Sequence, residues 1–160
     1  MGLKQDGSQG TGPDVLSLFQ DMLNSGSDLR VRVTGRSMAP FLRGGEILTL
    51  RKVPPSSLKK GDLIFFRNRD GYPTLHRIIR AIRRKSGVDL FQTKGDALVA
   101  LDFPIPYPEV LGKVYRIERG EKEINLETVT RSSLNYLIAV IGLLQSTFFF
   151  SLSALKNLIG

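Results

Sequence analysis

The sequence predicts a mainly β protein: an antiparallel, barrel-like sheet with a short helix before it and a hydrophobic helix after it. Its 160 residues suffice for one domain with a single active site. The 16 glycines and 8 prolines indicate many turns rather than a helical bundle. Apolar residues follow a helical spacing only near the two ends of the chain, whereas short strand-like runs fill the middle.

The first part of the chain divides into two segments. Residues 1–12 combine glycine with polar residues and show no apolar periodicity or secretory h-region, which predicts a disordered lead. Residues 13–27 predict a short amphipathic helix that is capped by Asp14 and ends near Gly26. Its apolar positions are Val15, Leu16, Leu18, Phe19, Met22 and Leu23.

Residues 29–127 predict the β domain. Runs rich in β-branched and aromatic residues alternate with turn signals at 44–45, 54–57, 60–62 and 70–71. Strands are expected within LRVRV, EILTLRKV, DLIFFRN, TLHRIIRAI, VDLFQTKG, EVLGKVYRIE and KEINLE.

Residues 131–157 predict a hydrophobic helix. No charged residue occurs between 132 and 155, and a helix of that length spans a hydrocarbon core about 30 Å thick. We therefore expect a membrane anchor over residues 134–155. The alternative is a helix packed on the domain or on a partner, which the polar residues within the tract favour: Gln145, Ser146, Thr147, Ser151 and Ser153.

The anchor implies a membrane location, with the plasma membrane expected. The side on which the domain lies stays open, although the positive-inside tendency slightly favours the cytoplasm. The 20 residues before Leu134 contain four basic residues, Arg116, Arg119, Lys122 and Arg131, whereas Lys156 is the only basic residue after the tract.

The charge and the residue types exclude several kinds of site. A net charge of +8 is compatible with nucleic acid or an anionic membrane. Because the basic residues are dispersed and no nucleic-acid-binding motif occurs, a nucleic-acid partner is not expected. The absence of cysteine excludes a thiol nucleophile, and the single histidine, His76, excludes a histidine metal cluster. We expect no metal or cofactor.

One segment, TGRSMAPF, presents a candidate nucleophile, Ser37. Gly35 permits close backbone approach, and Pro40 ends the turn before the chain re-enters the core. A serine hydroxyl becomes nucleophilic only when a base removes its proton and donors stabilise the oxyanion. Taken alone, the segment is more often a plain turn.

His76 and two aspartates supply the partners that such a serine needs. A histidine side chain can accept a proton near neutral pH, and a carboxylate can fix its tautomer. Asp96 and Asp102, in TKGDALVALD, are the candidate acids. Each residue alone also has an ordinary structural interpretation, as a strand histidine or a turn aspartate.

The segments GRSMAPF, GDLIFF, LHRII, TKGD and GKV, in this order, resemble the signal peptidase I family over residues 30–118. More narrowly, the chain resembles the branch of the endoplasmic reticulum, archaea and some spore-forming bacteria, which has a Ser-His-Asp site. His76 lies where the bacterial dyad enzymes and the related self-cleaving repressor peptidases carry lysine.

This resemblance implies a serine endopeptidase that cleaves leader or signal peptides after small residues through an acyl-enzyme. Ser37 would be the nucleophile, His76 the base and Asp102 its acidic partner, while Asp96 would shape the site. The expected substrate-binding residues are Gly35, Met38 and Pro40, with Met38 on the floor of the cleft and the Ser37 amide in the oxyanion hole. The peptide would bind extended along a sheet edge.

Some positions depart from the family pattern: Phe41 replaces a common threonine, Glu46 replaces an aspartate, and 97–98 lack the usual asparagine. The family also normally has an N-terminal anchor, which residues 1–28 do not contain. Two other functions stay open. One is a non-catalytic β module that binds a peptide or a membrane, and the other is a self-cleaving repressor-type peptidase, which lacks its lysine and its DNA-binding domain here.

Overall fold

The computed structural model describes residues 13–85 and 87–159. It confirms a mainly antiparallel β fold with a short helix before the sheet and an apolar helix after it. The elements are α1 (Pro13–Asn24), β1 (Leu29–Arg32), β2 (Ile47–Arg51), β3 (Leu63–Arg67), β4 (Pro73–Ile82), β5 (Leu90–Lys94), β6 (Ile105–Pro106), β7 (Val110–Arg119), β8 (Lys122–Asn125) and α2 (Val129–Ile159). The expected lead over residues 1–12 lies outside the described residues.

All strand pairs in the sheet are antiparallel, in the order β1-β2-β7-β3-β4-β5-β6, with β8 paired to β7. The long strand β7 organises this order, because residues 113–118 pair with β2 and residues 110–113 pair with β3. Strand β4 lies between β3 and β5, so its central residues are held on both sides. The sequence did not predict β6, which is two residues long and contains Pro106.

Two hydrophobic clusters lie on the two sides of the sheet. Strand β3 contributes to both, because alternate side chains point to opposite faces: Leu63 and Phe65 enter one cluster, Ile64 and Phe66 the other. Helix α1 covers the first cluster with its buried apolar side chains, as its periodicity predicts. Strand β4, which carries His76, is also packed on both faces, because Ile78 enters the second cluster and Leu75 packs against the first.

Helix α2 lies against the β domain along one face. The buried residues of this face recur every three or four positions: Asn135, Ala139, Gly142 and Ser146. The opposite face is apolar and exposed: Leu134, Leu137, Ile141, Leu144 and Phe148. Residues 135–146 therefore pack on the domain, which is one of the two expectations for this uncharged tract.

Gly61 makes the close packing of α2 possible. It has a φ of +96°, and a Cβ at this position would lie 2.8 Å from the backbone nitrogen of Tyr136. No side chain fits at that distance, so the helix backbone rests directly on the turn before β3. Within the described part of the chain, Val129–Phe149 is the one helix whose length and apolar composition would allow it to cross a membrane.

Candidate active site

Ser37 lies in a turn that follows the edge strand β1. Within this turn the amide of Ala39 donates to the carbonyl of Arg36, and the amide of Leu42 donates to that of Met38. Ser37 is half-buried. Its amide donates to no acceptor among the described residues, so the N–H is available to a bound group.

Glu46 fastens the end of this turn. Its carboxylate accepts hydrogen bonds from the amides of Arg43 and Gly44, and Arg119 lies 3.2 Å away. Burial opposes ionisation of this carboxyl, but the backbone donors and the Arg119 charge outweigh it and lower the pKa of Glu46. Glu46 thus anchors the end of the Ser37 turn.

His76 is buried in β4 and contacts a carboxylate through one ring nitrogen. Its Nδ1 lies 2.6 Å from Oδ2 of Asp102. The same oxygen accepts a hydrogen bond of 2.6 Å from the hydroxyl of Thr93, and the amide of Asp102 donates to the carbonyl of Thr93. The position of Asp102 is thus fixed from β5, and a carboxylate so placed favours a proton on Nδ1.

Asp96 has a different partner. Its two oxygens accept from Nε and Nη2 of Arg77 at 2.8 and 2.7 Å, a bidentate ion pair. Arg77 is fully buried. Its Nη1 donates to the carbonyl of Gly61 and to Oδ1 of Asn135, and its guanidinium lies 4.7 Å from the ring of Phe41.

Gly95 brings the two halves of the site together. A Cβ at this position would lie 2.7 Å from the carbonyl oxygen of Ser37 and 3.0 Å from Nε2 of His76. The Ser37 carbonyl also accepts from the amide of Ala97 at 2.9 Å. Nε2 therefore points to the Ser37 turn, although the hydrogen bonds among the described residues include none between Ser37 Oγ and His76.

Lys94 is buried close to the site but on the other face of β5 from Thr93. It is paired with Arg77 in the sheet and lies under α2, where a Cβ on Gly142 would be 3.3 Å from Nζ. Burial lowers the pKa of this lysine, and the Asp96 charge opposes that shift. Because the side chains of neighbouring strand residues point to opposite faces, Lys94 does not share the face of His76.

Two clefts flank the site, and Thr74 lines both. The first, of about 610 Å³, contains Ser37, Gly35 and Met38 and runs along β1. The second, of about 820 Å³, contains His76 and Asp102. Met38 is buried and lines the first cleft, whereas Pro40 is exposed and does not line either cleft.

The family model described as Peptidase S24-like matches residues 2–92, more than half of the chain. The chain belongs to this family. The S24-like match supports a serine-type peptidase and includes Ser37 and His76, while Asp96 and Asp102 follow its end. No curated protein matches the chain.

The sequence reasoning missed several residues of this candidate site. Thr93, Gly95 and Arg77 were not singled out, although strand alternation places Thr93 on the face of His76 and Arg77 on the opposite face. Asn135 lies in the tract expected to be an anchor. Nothing in the local sequence indicates that its amide reaches Arg77.

The two aspartates should respond differently to replacement by asparagine. Asp96→Asn leaves the buried Arg77 charge without its counter-charge, so we expect the free energy of unfolding to fall by about 3 to 5 kcal/mol. Asp102→Asn should leave unfolding in urea nearly unchanged, because that carboxylate is 27% exposed. It should instead slow reaction of Ser37 with a fluorophosphonate by about 10³- to 10⁴-fold. The opposite result would exchange the roles of the two aspartates. In that case Asp102→Asn would lower the free energy of unfolding, whereas Asp96→Asn would stay stable but react slowly with the fluorophosphonate.

Proposed function

We propose that the protein is a serine endopeptidase of the signal peptidase I kind, with a Ser37-His76-Asp102 site. The observation that carries the proposal is the orientation of His76. Its Nδ1 contacts Asp102 at 2.6 Å, while its Nε2 points to the Ser37 turn. A histidine that acts as a general base between a carboxylate and a serine requires this orientation of its ring.

The reaction is acyl transfer. Ser37 Oγ forms a bond to the scissile carbonyl carbon while His76 Nε2 takes the hydroxyl proton, and the Ser37 amide donates to the oxyanion. The carbon–nitrogen bond then breaks as His76 returns the proton to the leaving amine. Water, deprotonated by His76, releases the acyl group and regenerates Ser37. Apart from the peptide and water, no step requires a group that these residues do not supply.

The substrate that fits is an extended peptide with small side chains before the cut. The first cleft follows the edge strand β1, and much of its wall is apolar: Val31, Val33, Met38, Leu48, Phe65 and Leu75. An edge strand offers backbone groups to an added strand, which favours extended binding. By the family likeness, small residues occupy the first and third positions before the cut, as in export leaders.

Self-cleavage is the other function compatible with an S24-like peptidase. It uses the same acyl transfer but takes a segment of the chain itself as substrate. His76 stands where the repressor peptidases carry lysine. The same experiment distinguishes the two functions, because the mass of the protein reports any cut within it.

Cleavage should require Ser37 and His76. We expect the purified protein in detergent to cut leader peptides that have small residues at the first and third positions before the cut. Peptides with phenylalanine at these two positions should stay intact. Ser37→Ala and His76→Ala should each lower the rate by at least about 10³-fold, since either change removes the acyl-transfer unit. Mass spectrometry reads the products.

The control for this experiment is Ser56→Ala, because Ser56 is exposed in a turn away from the site. It should cleave at the unmodified rate. Full activity of Ser37→Ala would overturn the mechanism. A cut within the protein itself, with every leader peptide left intact, would favour the self-cleaving function.

We further propose that α2 associates with a membrane through its exposed apolar face. The buried face holds residues 135–146 on the domain, so this part of the helix would lie along the membrane surface. The net charge of +8 favours an anionic bilayer. The plasma membrane is the expected location, and the side on which the domain lies is open.

Charge on the exposed face should abolish this association. Leu137→Glu combined with Ile141→Glu places two carboxylates where apolar side chains are 54% and 47% exposed. We expect the unmodified protein to float with vesicles containing anionic phospholipid and the double variant to stay at the bottom of the gradient. Val88→Glu, at an exposed apolar position in the loop before β5, is the control and should float. An unmodified protein that does not float refutes the association.

A further inference from the structure

The buried face of α2 reaches both parts of the site through polar side chains. Two of its buried residues, Asn135 and Ser146, present side-chain oxygen to the domain from this face, and they are 6% and 1% exposed. A helix that only covered apolar surface would place apolar residues at these positions, since burying a polar group is unfavourable unless it is hydrogen-bonded. Their partners therefore indicate what the helix does.

The first contact connects α2 to the buried ion pair between Arg77 and Asp96. Oδ1 of Asn135 accepts from Nη1 of Arg77 at 3.1 Å, and the same guanidinium holds Asp96 through its other two nitrogens. The backbone of the helix rests on Gly61, whose carbonyl accepts from the same Nη1 at 3.0 Å. The start of α2 thus fixes the position of Arg77 and, through it, the turn that contains Asp96.

The second contact connects α2 to the loop that carries Asp102. The hydroxyl of Ser146 lies 2.6 Å from the carbonyl oxygen of Val99, closer than the 3.1 Å to the carbonyl of Gly142 in its own helix. Val99 lies midway between Asp96 and Asp102, in a stretch without helix or strand. Val99 is itself 42% exposed, so Ser146 holds the middle of a loop whose two ends are held at Asp96 and Asp102.

We propose that α2 is a positioning element of the active site, in which Ser146 and Asn135 hold the loop from Asp96 to Asp102. This inference rests on the proposed function. Ser146 acts through the loop backbone on Asp102 and hence on His76. Displacement of a catalytic group by about 1 Å can lower a rate by about a hundredfold, so one hydrogen bond on this loop has a measurable effect.

The experiment measures how fast a fluorophosphonate labels Ser37 in the full chain. Loss of one hydrogen bond corresponds to a rate lowered roughly five- to tenfold, which we expect for Ser146→Ala. Thr147→Ala is the matched control, because the Thr147 hydroxyl bonds only to carbonyls of its own helix and is exposed. It should label at the unmodified rate.

A double-mutant cycle distinguishes positioning from general support of the fold. If Ser146 acts through Asp102, Ser146→Ala should slow labelling in the unmodified protein but have no further effect in the Asp102→Asn protein. Equal slowing in both backgrounds, or no slowing in the unmodified one, overturns the inference. Urea unfolding of each variant checks that the proteins compared are folded.

A second variant tests the other end of the helix. Gly61→Ala introduces a Cβ against the backbone of Tyr136 and should slow labelling by displacing α2. Gly120→Ala also places alanine at a positive φ, but nothing lies within 4 Å there, so it should label normally. Normal labelling of Gly61→Ala contradicts the proposal. Absence of labelling in the unmodified protein refutes the proposed function itself, and the inference with it.

Discussion

The buried charge of Arg77 is the constraint on which the rest of the site depends. A guanidinium without solvent must be surrounded by acceptors, and here these come from separate segments: Asp96, the carbonyl of Gly61 and Asn135 of α2. The hydrogen bonds to the Arg77 guanidinium fix the relative positions of β4, the turn after β5 and the C-terminal helix. The ring of Phe41 against the guanidinium adds the Ser37 turn to the same assembly.

This constraint also separates the two acids. Because Arg77 binds both oxygens of Asp96, that carboxylate is engaged on the face of the sheet opposite His76. Asp102 contacts the imidazole instead, and Thr93 holds it there. Neighbouring residues in one strand, His76 and Arg77, thus recruit one aspartate each, on opposite faces. The buried Lys94 belongs to the Arg77 face and does not share the face of His76.

Strand periodicity and turn chemistry were sufficient to predict the longer strands, because alternating apolar residues and Gly or Pro turns act locally. They predicted neither the two-residue strand β6 nor the order of the strands. The candidate site residues came from short motifs. The structure shows the contact between His76 and Asp102, and it places Gly95 beside both the Ser37 carbonyl and the His76 ring. The role of Arg77 was not predictable in the same way. An arginine in a strand ordinarily faces solvent, and its partners Gly61, Asp96 and Asn135 are distant in sequence.

The uncharged C-terminal tract was ambiguous for a physical reason. The mean hydropathy of a helix depends on its composition and not on which of its faces is buried. A helix packed on a domain and a helix that crosses a membrane can therefore have similar mean hydropathy. Asn135 and Ser146 are the residues that distinguish them, because each has a polar partner on the domain. Their spacing from Ala139 and Gly142 defines the buried face.

The central claim is that Asp102 holds His76 with a free Nε2 toward Ser37. Since His76 is the sole histidine, nitrogen NMR of protein labelled with ¹⁵N-histidine reports its ring alone. The account predicts that the neutral ring carries its proton on Nδ1 and that Asp102→Asn shifts the population toward the Nε2–H tautomer. A neutral ring protonated on Nε2 in the unmodified protein would contradict the account, because that nitrogen could not accept the proton of Ser37.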